Sequence, residues 1–192
     1  MARRSQLPAV VVAMLLAACT VGSGSGEVRM TISLPSCDLE DEVIDLEPTF
    51  FAAQAIEHST IIRVQRGGEI ERFSDGLVIR VADASDVVRN GLGTPLDVGV
   101  ADDPLVHRYP VAAAVYLNAT CSSEATASLP ALGGTVTFQS LYAPKVDDDE
   151  RLIEGELSLV LADPEAPERV RGTAEGWFRF FYARGRPAQA FP

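Results

Sequence analysis

The chain has 192 residues with 27 acidic and 16 basic side chains, so its net charge near pH 7 is −11. Arg3 and Arg4 are the only charged residues among the first 18, and the 174 residues that follow carry a net charge of −13. A protein this acidic repels nucleic acid and anionic lipid head groups, which excludes a role in tracking phosphates. A length of 174 residues suits one hydrophobic core, and we predict a single domain.

The first 19 residues have the organisation of an export signal. After a positive start, residues 7–16 form an apolar run that is too short to span a bilayer. Leu16-Ala17-Ala18-Cys19 resembles the bacterial lipobox, which implies cleavage before Cys19 and a diacylglyceryl group on its sulfur. We predict a lipoprotein signal peptide over residues 1–18 and a palmitate-type anchor on Cys19. Because Thr20 and not aspartate follows, the sorting pattern of enteric bacteria implies the outer membrane.

The segment after the cysteine has the composition of a flexible linker. Residues 20–26 read TVGSGSG, and Gly/Ser chains keep their backbone freedom because they have little side chain to bury. We therefore predict that residues 19–26 are a lipidated tether and that residues 27–192 form the folded domain.

Strand patterns dominate that domain. Residues 28–34 alternate apolar and polar side chains, the two-residue period of a half-buried strand. Further strands are predicted at 60–66, 69–73, 77–82, 109–118, 135–142, 152–161 and 172–182, separated by turns rich in Gly, Pro and Asp. Residues 85–91 form a short helix capped by Ser85, whereas 38–46 and 50–57 fit either a short helix or a strand. The pattern predicts an all-β, single antiparallel β-sandwich of about seven to nine strands.

The last predicted strand is apolar on both faces. Phe178, Phe180 and Tyr182 alternate on one side, and Trp177 and Phe181 lie on the other. A strand of this kind is expected at a central position in the fold.

Two cysteines are left once Cys19 carries lipid. In an exported protein Cys37 and Cys121 are expected to form a disulfide. The competing interpretation is a zinc site, for which His58 and His107 are the only histidines in the chain. Their irregular spacing makes a poor zinc ligand set.

No catalytic motif is present. The chain lacks a G-x-S-x-G elbow, an H-E-x-x-H pair and a phosphate-binding glycine loop, and no cofactor is predicted. His58 and His107 are the candidate general bases, without a partner identifiable from sequence. Clustered loop carboxylates suit a hard cation, so a calcium site is a second hypothesis. A solvated charged loop accounts for the same carboxylates without a metal; they are Asp147, Asp148, Asp149 and Glu150.

Several short runs of the domain resemble a known group of bacterial proteins. They are Arg63–Gly68, Ser74–Leu77, Val115–Asn118 with Cys121, Gly134–Phe138, Gly176–Phe178, and Arg184–Gln189 with Phe191-Pro192. These runs resemble an uncharacterised family of predicted lipoproteins from myxobacteria, over most of the chain after the signal. The resemblance implies a lipoprotein with a shared β fold. The family has no assigned function, so it implies no catalytic or ligand residues.

Together these patterns predict a lipid-anchored, non-enzymatic protein of the cell envelope with a structural or binding role. Its partners are the membrane, through the lipid on Cys19, and an envelope protein or carbohydrate. The alternative is a small exported hydrolase that uses His58 or His107. A histidine in a cleft, hydrogen-bonded to Ser, Asp or Glu, would favour the enzyme, and an exposed aromatic patch would favour the binding module.

Overall fold

A computed structural model of the chain describes residues 20–68, 71–99, 109–121, 128–143 and 151–187, with side chains from residue 22 to residue 182. Ten strands lie within these ranges. They are β1 Thr20–Leu34, β2 Leu39–Leu46, β3 Phe50–Ile56, β4 Ser59–Gln65, β5 Asp75–Val81, β6 Pro95–Asp97, β7 Val111–Leu117, β8 Ser128–Ser140, β9 Leu152–Ala162 and β10 Val170–Pro187. A short helix, α1 Ala84–Asp86, continues into a wider turn at Val87–Gly91.

The sheet closes on itself. Neighbouring strands pair in the order β10-β9-β8-β7-β5-β4-β3-β1, and β1 also pairs with β10, which completes a barrel of eight antiparallel strands. Outside this ring, β2 pairs with β1 and β6 with β8. The predicted all-β class and antiparallel pairing are confirmed. The sheet forms a closed barrel and not the predicted sandwich, because the 15-residue β1 pairs with both β3 and β10 and so joins the two ends of a single sheet.

The tether prediction for residues 20–26 is wrong. These residues are the first part of β1 and pair with β10, and Thr20–Gly22 also pair with β3. The partners of Gly22, Gly24 and Gly26 in β10 are Tyr182, Phe180 and Phe178. Glycine is tolerated in this strand because it leaves room for large neighbours.

Aromatic rings fill the space beside those glycines. Phe180 and Phe178 are fully buried. The ring of Phe180 stacks on Phe51 at 5.3 Å between centroids, and Phe178 meets Phe138 edge to face at 6.4 Å. Such pairs contribute about 0.5–1.5 kcal/mol each beyond their buried area. The glycines of β1 therefore lie directly against the strand that carries these rings, where an added Cβ would meet Phe180 or Phe178.

Most of the predicted strands are confirmed, and the two ambiguous segments are resolved as strands β2 and β3. Residues 71–73, predicted within a middle strand, form a short 3-10 turn, and β4 pairs directly with β5. The helix at 84–91 is present, but its N-cap is Asp83 and not Ser85. The Oδ1 of Asp83 accepts a hydrogen bond from the backbone N–H of Asp86 at 2.9 Å. In the described part of the chain, no helix has the length and apolarity to cross a membrane.

Asp163 ties the connection between β9 and β10 to β10. Its Oδ1 accepts a hydrogen bond from the backbone N–H of Glu165 at 2.9 Å. Its Oδ2 accepts two from Arg171, at 2.8 Å from Nε and 2.6 Å from Nη2. These hydrogen bonds lower the pKa of the Asp163 carboxyl. The bond from the Glu165 backbone has the largest effect, and the bonds from Arg171 the next largest.

Replacing Asp163 by Asn is expected to lower the melting temperature at pH 7, because a neutral amide loses the charge that Arg171 binds. The pKa is lower in the folded chain than in the unfolded one. The carboxylate's stabilisation is therefore present above the unfolded value, about 3.9, and is lost as pH falls through the lower folded value. Melts between about pH 7 and about pH 2 should show the difference between the two proteins shrinking with acid. A pH-independent difference would contradict this account, and Glu168→Gln, at an exposed position of the same connection, is the control.

Candidate functional site

The disulfide lies at one end of the barrel. Cys37 ends the 3-10 turn Pro35–Cys37 after β1, and Cys121 follows β7. The two are bonded, with their Cα atoms 5.2 Å apart and a sequence separation of 84. Cys121 is buried, and its backbone N–H donates to the carbonyl of Leu117. The predicted pairing of these two cysteines is thus present, and neither is available as a zinc ligand.

Several other predicted site residues lie outside the described residues. These are Cys19, His107 and the calcium candidates Asp147, Asp148, Asp149 and Glu150. Within the ranges that the structure does describe, no group of three or more His, Cys, Asp or Glu side chains is placed to hold a metal ion.

His58 lies beside a cleft. It belongs to the turn between β3 and β4, and its carbonyl accepts a hydrogen bond from the backbone N–H of Ala84 at 2.9 Å. This bond places the turn against the helix that follows β5. The cleft has a volume of about 470 Å³ and is open to solvent; its described lining is His58, Ala82, Asp83, Asp86, Val87, Tyr109 and Pro110.

The carboxylates in that lining already have structural partners. Asp83 caps the helix through the backbone N–H of Asp86. The Oδ1 of Asp86 in turn accepts a hydrogen bond from Nδ2 of Asn90 at 2.8 Å. No Ser, Thr or Cys occurs among the described lining residues. The cleft therefore offers a histidine and two acids to a small ligand but holds no side-chain nucleophile of those types.

A buried polar cluster lies on β4 and β7, on the side of these strands that faces away from the hydrophobic core. Arg63 is only 1% exposed, and its Nη2 donates to Oε2 of Glu71 at 2.9 Å. The hydroxyl of Tyr116 donates to Oε1 of Gln65 at 2.8 Å, and Nε2 of Gln65 donates to the carbonyl of Gly67. Burial raises the pKa of Tyr116, so its hydroxyl stays protonated as a donor. These contacts hold Gly67 and Glu71, on the connection after β4, against the sheet, which is a structural role.

The outer surface of β10 carries exposed rings. Trp177 is 42% exposed and Phe181 is 58% exposed, with Arg179 between them on the same side of the strand. Nε of Arg179 lies 3.5 Å from Oε2 of Glu154 on β9. We call Trp177, Arg179 and Phe181 the aromatic face. The predicted central position of β10 is confirmed, since it pairs with β1 and β9, but only one of its two faces is buried.

On β1, small side chains lie opposite two members of the aromatic face, and Glu27 lies opposite the third, Trp177. Phe181 lies opposite Ser23, and Arg179 lies opposite Ser25. Both serines are exposed and neither is large enough to cover a ring. On the other side, Phe181 pairs with the half-buried Leu152 of β9. Phe181 is therefore left open on its β1 side, whereas Trp177 lies between Glu27 on β1 and Glu156 on β9.

In comparisons with protein-family models, curated proteins and solved structures, none matched this chain. The functional argument therefore depends on the chain's own residues.

Sequence reasoning located the residues of the aromatic face but not their exposure. It placed Trp177 and Phe181 on the second apolar face of a central strand. The signal that bears on this point lies in β1, where serines alternate with glycines from Gly22 to Gly26. The glycines accommodate the buried rings of β10, and Ser23 leaves the outer ring of Phe181 uncovered.

Proposed function

We propose that this chain is a lipid-anchored protein of a bacterial cell envelope, resembling the predicted myxobacterial lipoproteins, that acts by binding and not by catalysis. The observation that carries the proposal is the bond between Cys37 and Cys121. Disulfides persist in oxidising compartments outside the cytosol. With two of the three cysteines paired, Cys19 is the one left for acylation, at the end of an export signal.

The aromatic face supports the binding part of the proposal. Trp177 and Phe181 are exposed on the same side of one strand, and exposed apolar surface rimmed by polar residues is typical of interaction sites. Trp177 and Phe181 lie on a rigid strand with partners on both sides, which holds them in place without a ligand. An envelope protein, a carbohydrate or the membrane itself are the partners that such a surface suits at this location.

Replacing Cys19 by Ala is expected to abolish incorporation of a palmitate analogue into the full chain expressed in a bacterial host. The reason is that the Cys19 sulfur is the proposed acceptor of the diacylglyceryl group. The measurement is metabolic labelling followed by gel fluorescence and mass spectrometry of the N-terminal peptide. Separation of inner from outer membranes then tests the outer-membrane assignment.

The other two cysteines provide the matched control. The Cys37→Ala/Cys121→Ala chain should keep its label, because those sulfurs are bonded to each other and not to lipid. Equal labelling of the natural chain and the Cys19→Ala chain would refute the anchor.

A small exported hydrolase using His58 or His107 is the second candidate. The cleft beside His58 is the observation in its favour. Both aspartates there serve the helix, however, and a hydrolase of the Ser-His-Asp type needs a nucleophile within hydrogen-bond reach of its base. The described cleft suits a bound ligand better than an activated nucleophile, so binding is the preferred proposal.

A further inference from the structure

We propose that the aromatic face lies against the membrane surface, so that the barrel rests on the outer side of β10 and β1. This inference rests on the proposed lipid anchor at Cys19 and adds the orientation of the domain to it. The partner is the interfacial layer of a lipid bilayer, the region of head groups and upper acyl chains.

The first argument is the absence of a tether. β1 begins at Thr20, the residue after the proposed anchor, and it is paired with β10 from Thr20 to Ile32. A Gly/Ser linker would let the domain turn freely above the bilayer, whereas a strand that is part of the barrel restricts its orientation. The sheet therefore begins at the residue next to the proposed lipid anchor, without a flexible linker between them.

The second argument is the position of the rings relative to that connection. Ser23, opposite Phe181, is three residues beyond Thr20, which corresponds to roughly 10 Å along a strand. Glu27, opposite Trp177, lies roughly 13 Å further along. The more exposed ring is the one nearer the anchor, and both rings point to the same side of the sheet.

The third argument is the chemistry of the surface. Tryptophan is enriched where membrane meets water, because its ring is apolar and its N–H is polar. Arg179 can extend its charged end to the head groups while its aliphatic stem stays beside the rings. The strong negative charge of the chain, with Glu27 and Glu156 on either side of Trp177, disfavours attraction to anionic lipids. The contact expected is therefore one that the two rings make with uncharged lipid.

Trp177 provides the test, because it is the only tryptophan in the chain. The full chain is expressed so that export and acylation occur in the host, and the acylated protein is reconstituted into phosphatidylcholine vesicles with and without brominated acyl chains. Bromine quenches a tryptophan that lies in the bilayer. We expect brominated lipid to reduce Trp177 emission at least twofold, equally at low and high salt.

Two variants make the test specific. Phe181→Trp/Trp177→Phe moves the single tryptophan towards the anchor and should be quenched at least as strongly as the natural chain. Phe73→Trp/Trp177→Phe places it in the turn Glu71–Phe73, where the natural side chain is also 58% exposed, and should not be quenched. Near-ultraviolet circular dichroism and melting curves establish that each variant is folded.

Quenching at positions 177 and 181 well above that at position 73 supports the proposal. Equal quenching at all three positions, or quenching at 181 without 177, overturns it. A Trp177 emission that responds to soluble peptidoglycan fragments and not to vesicles also overturns it and assigns the face to a glycan. Mass spectrometry separates the two levels of failure: acylated, vesicle-bound protein without quenching refutes the orientation alone, whereas protein without lipid refutes the anchor.

Discussion

Replacing Cys37 and Cys121 together by Ala is expected to lower the free energy of unfolding by about 2–5 kcal/mol. The bond closes a long loop, since 84 positions separate its ends. By the chain-entropy model, a loop of that size in the unfolded chain corresponds to about 4–5 kcal/mol. Urea denaturation of the oxidised natural protein and of the double variant, under the same conditions, measures the difference.

Reduction provides an independent check on the same bond. A reducing agent should shift the urea midpoint of the natural protein towards that of the double variant and leave the variant itself unchanged. A variant as stable as the oxidised protein would mean that strand pairing alone closes this end of the barrel.

Replacing Gly24 by Val is expected to destabilise the barrel by about 3 kcal/mol. A side-chain carbon at this position would collide with the carbonyl oxygen of Arg179 and with Cβ of Phe180, on the paired strand. Strand propensity alone predicts the opposite sign, because valine is favoured in strands and glycine is not. The sign of the change therefore distinguishes a packed strand from a flexible segment, and thermal or urea unfolding measures it.

Gly68 provides the matched control for this substitution. It lies in the turn after β4, and an added Cβ there would meet no heavy atom within 4 Å. Gly68→Ala is expected to change the free energy of unfolding by no more than about 0.5 kcal/mol. If Gly24→Val is as mild as this control, residues 20–26 are not part of the barrel core, and the tether interpretation would have to be restored.

The local pattern of the chain was sufficient to predict most strands. Val28, Met30 and Ile32 alternate with polar residues, and all three are buried in the core as that alternation predicts. The same holds for β9, where the apolar residues at 153, 157, 159 and 161 are buried. Alternation is visible in sequence because it depends only on the geometry of one strand beside one apolar region.

The candidate sites were less accessible to sequence reasoning. The pairing of Cys37 with Cys121 could be predicted, because the predicted export and lipidation of Cys19 left these two cysteines as one pair. The cleft beside His58 could not, because it forms only where the β3–β4 turn meets the helix after β5. The exposure of Phe181 and Trp177 also depends on residues of another strand, namely Ser23 and Glu27 of β1.

What the sequence determined by itself is the β class and the face of each strand that carries apolar residues; the export signal ending at Cys19 stays a prediction. What only the tertiary structure decided is the closure of the sheet and the role of residues 20–26. Gly24 and Phe180 are 156 positions apart, yet they lie opposite each other. A glycine-serine run has little local preference, so its structure depends on its neighbours. Here the aromatic residues of β10 make it the strand that closes the barrel.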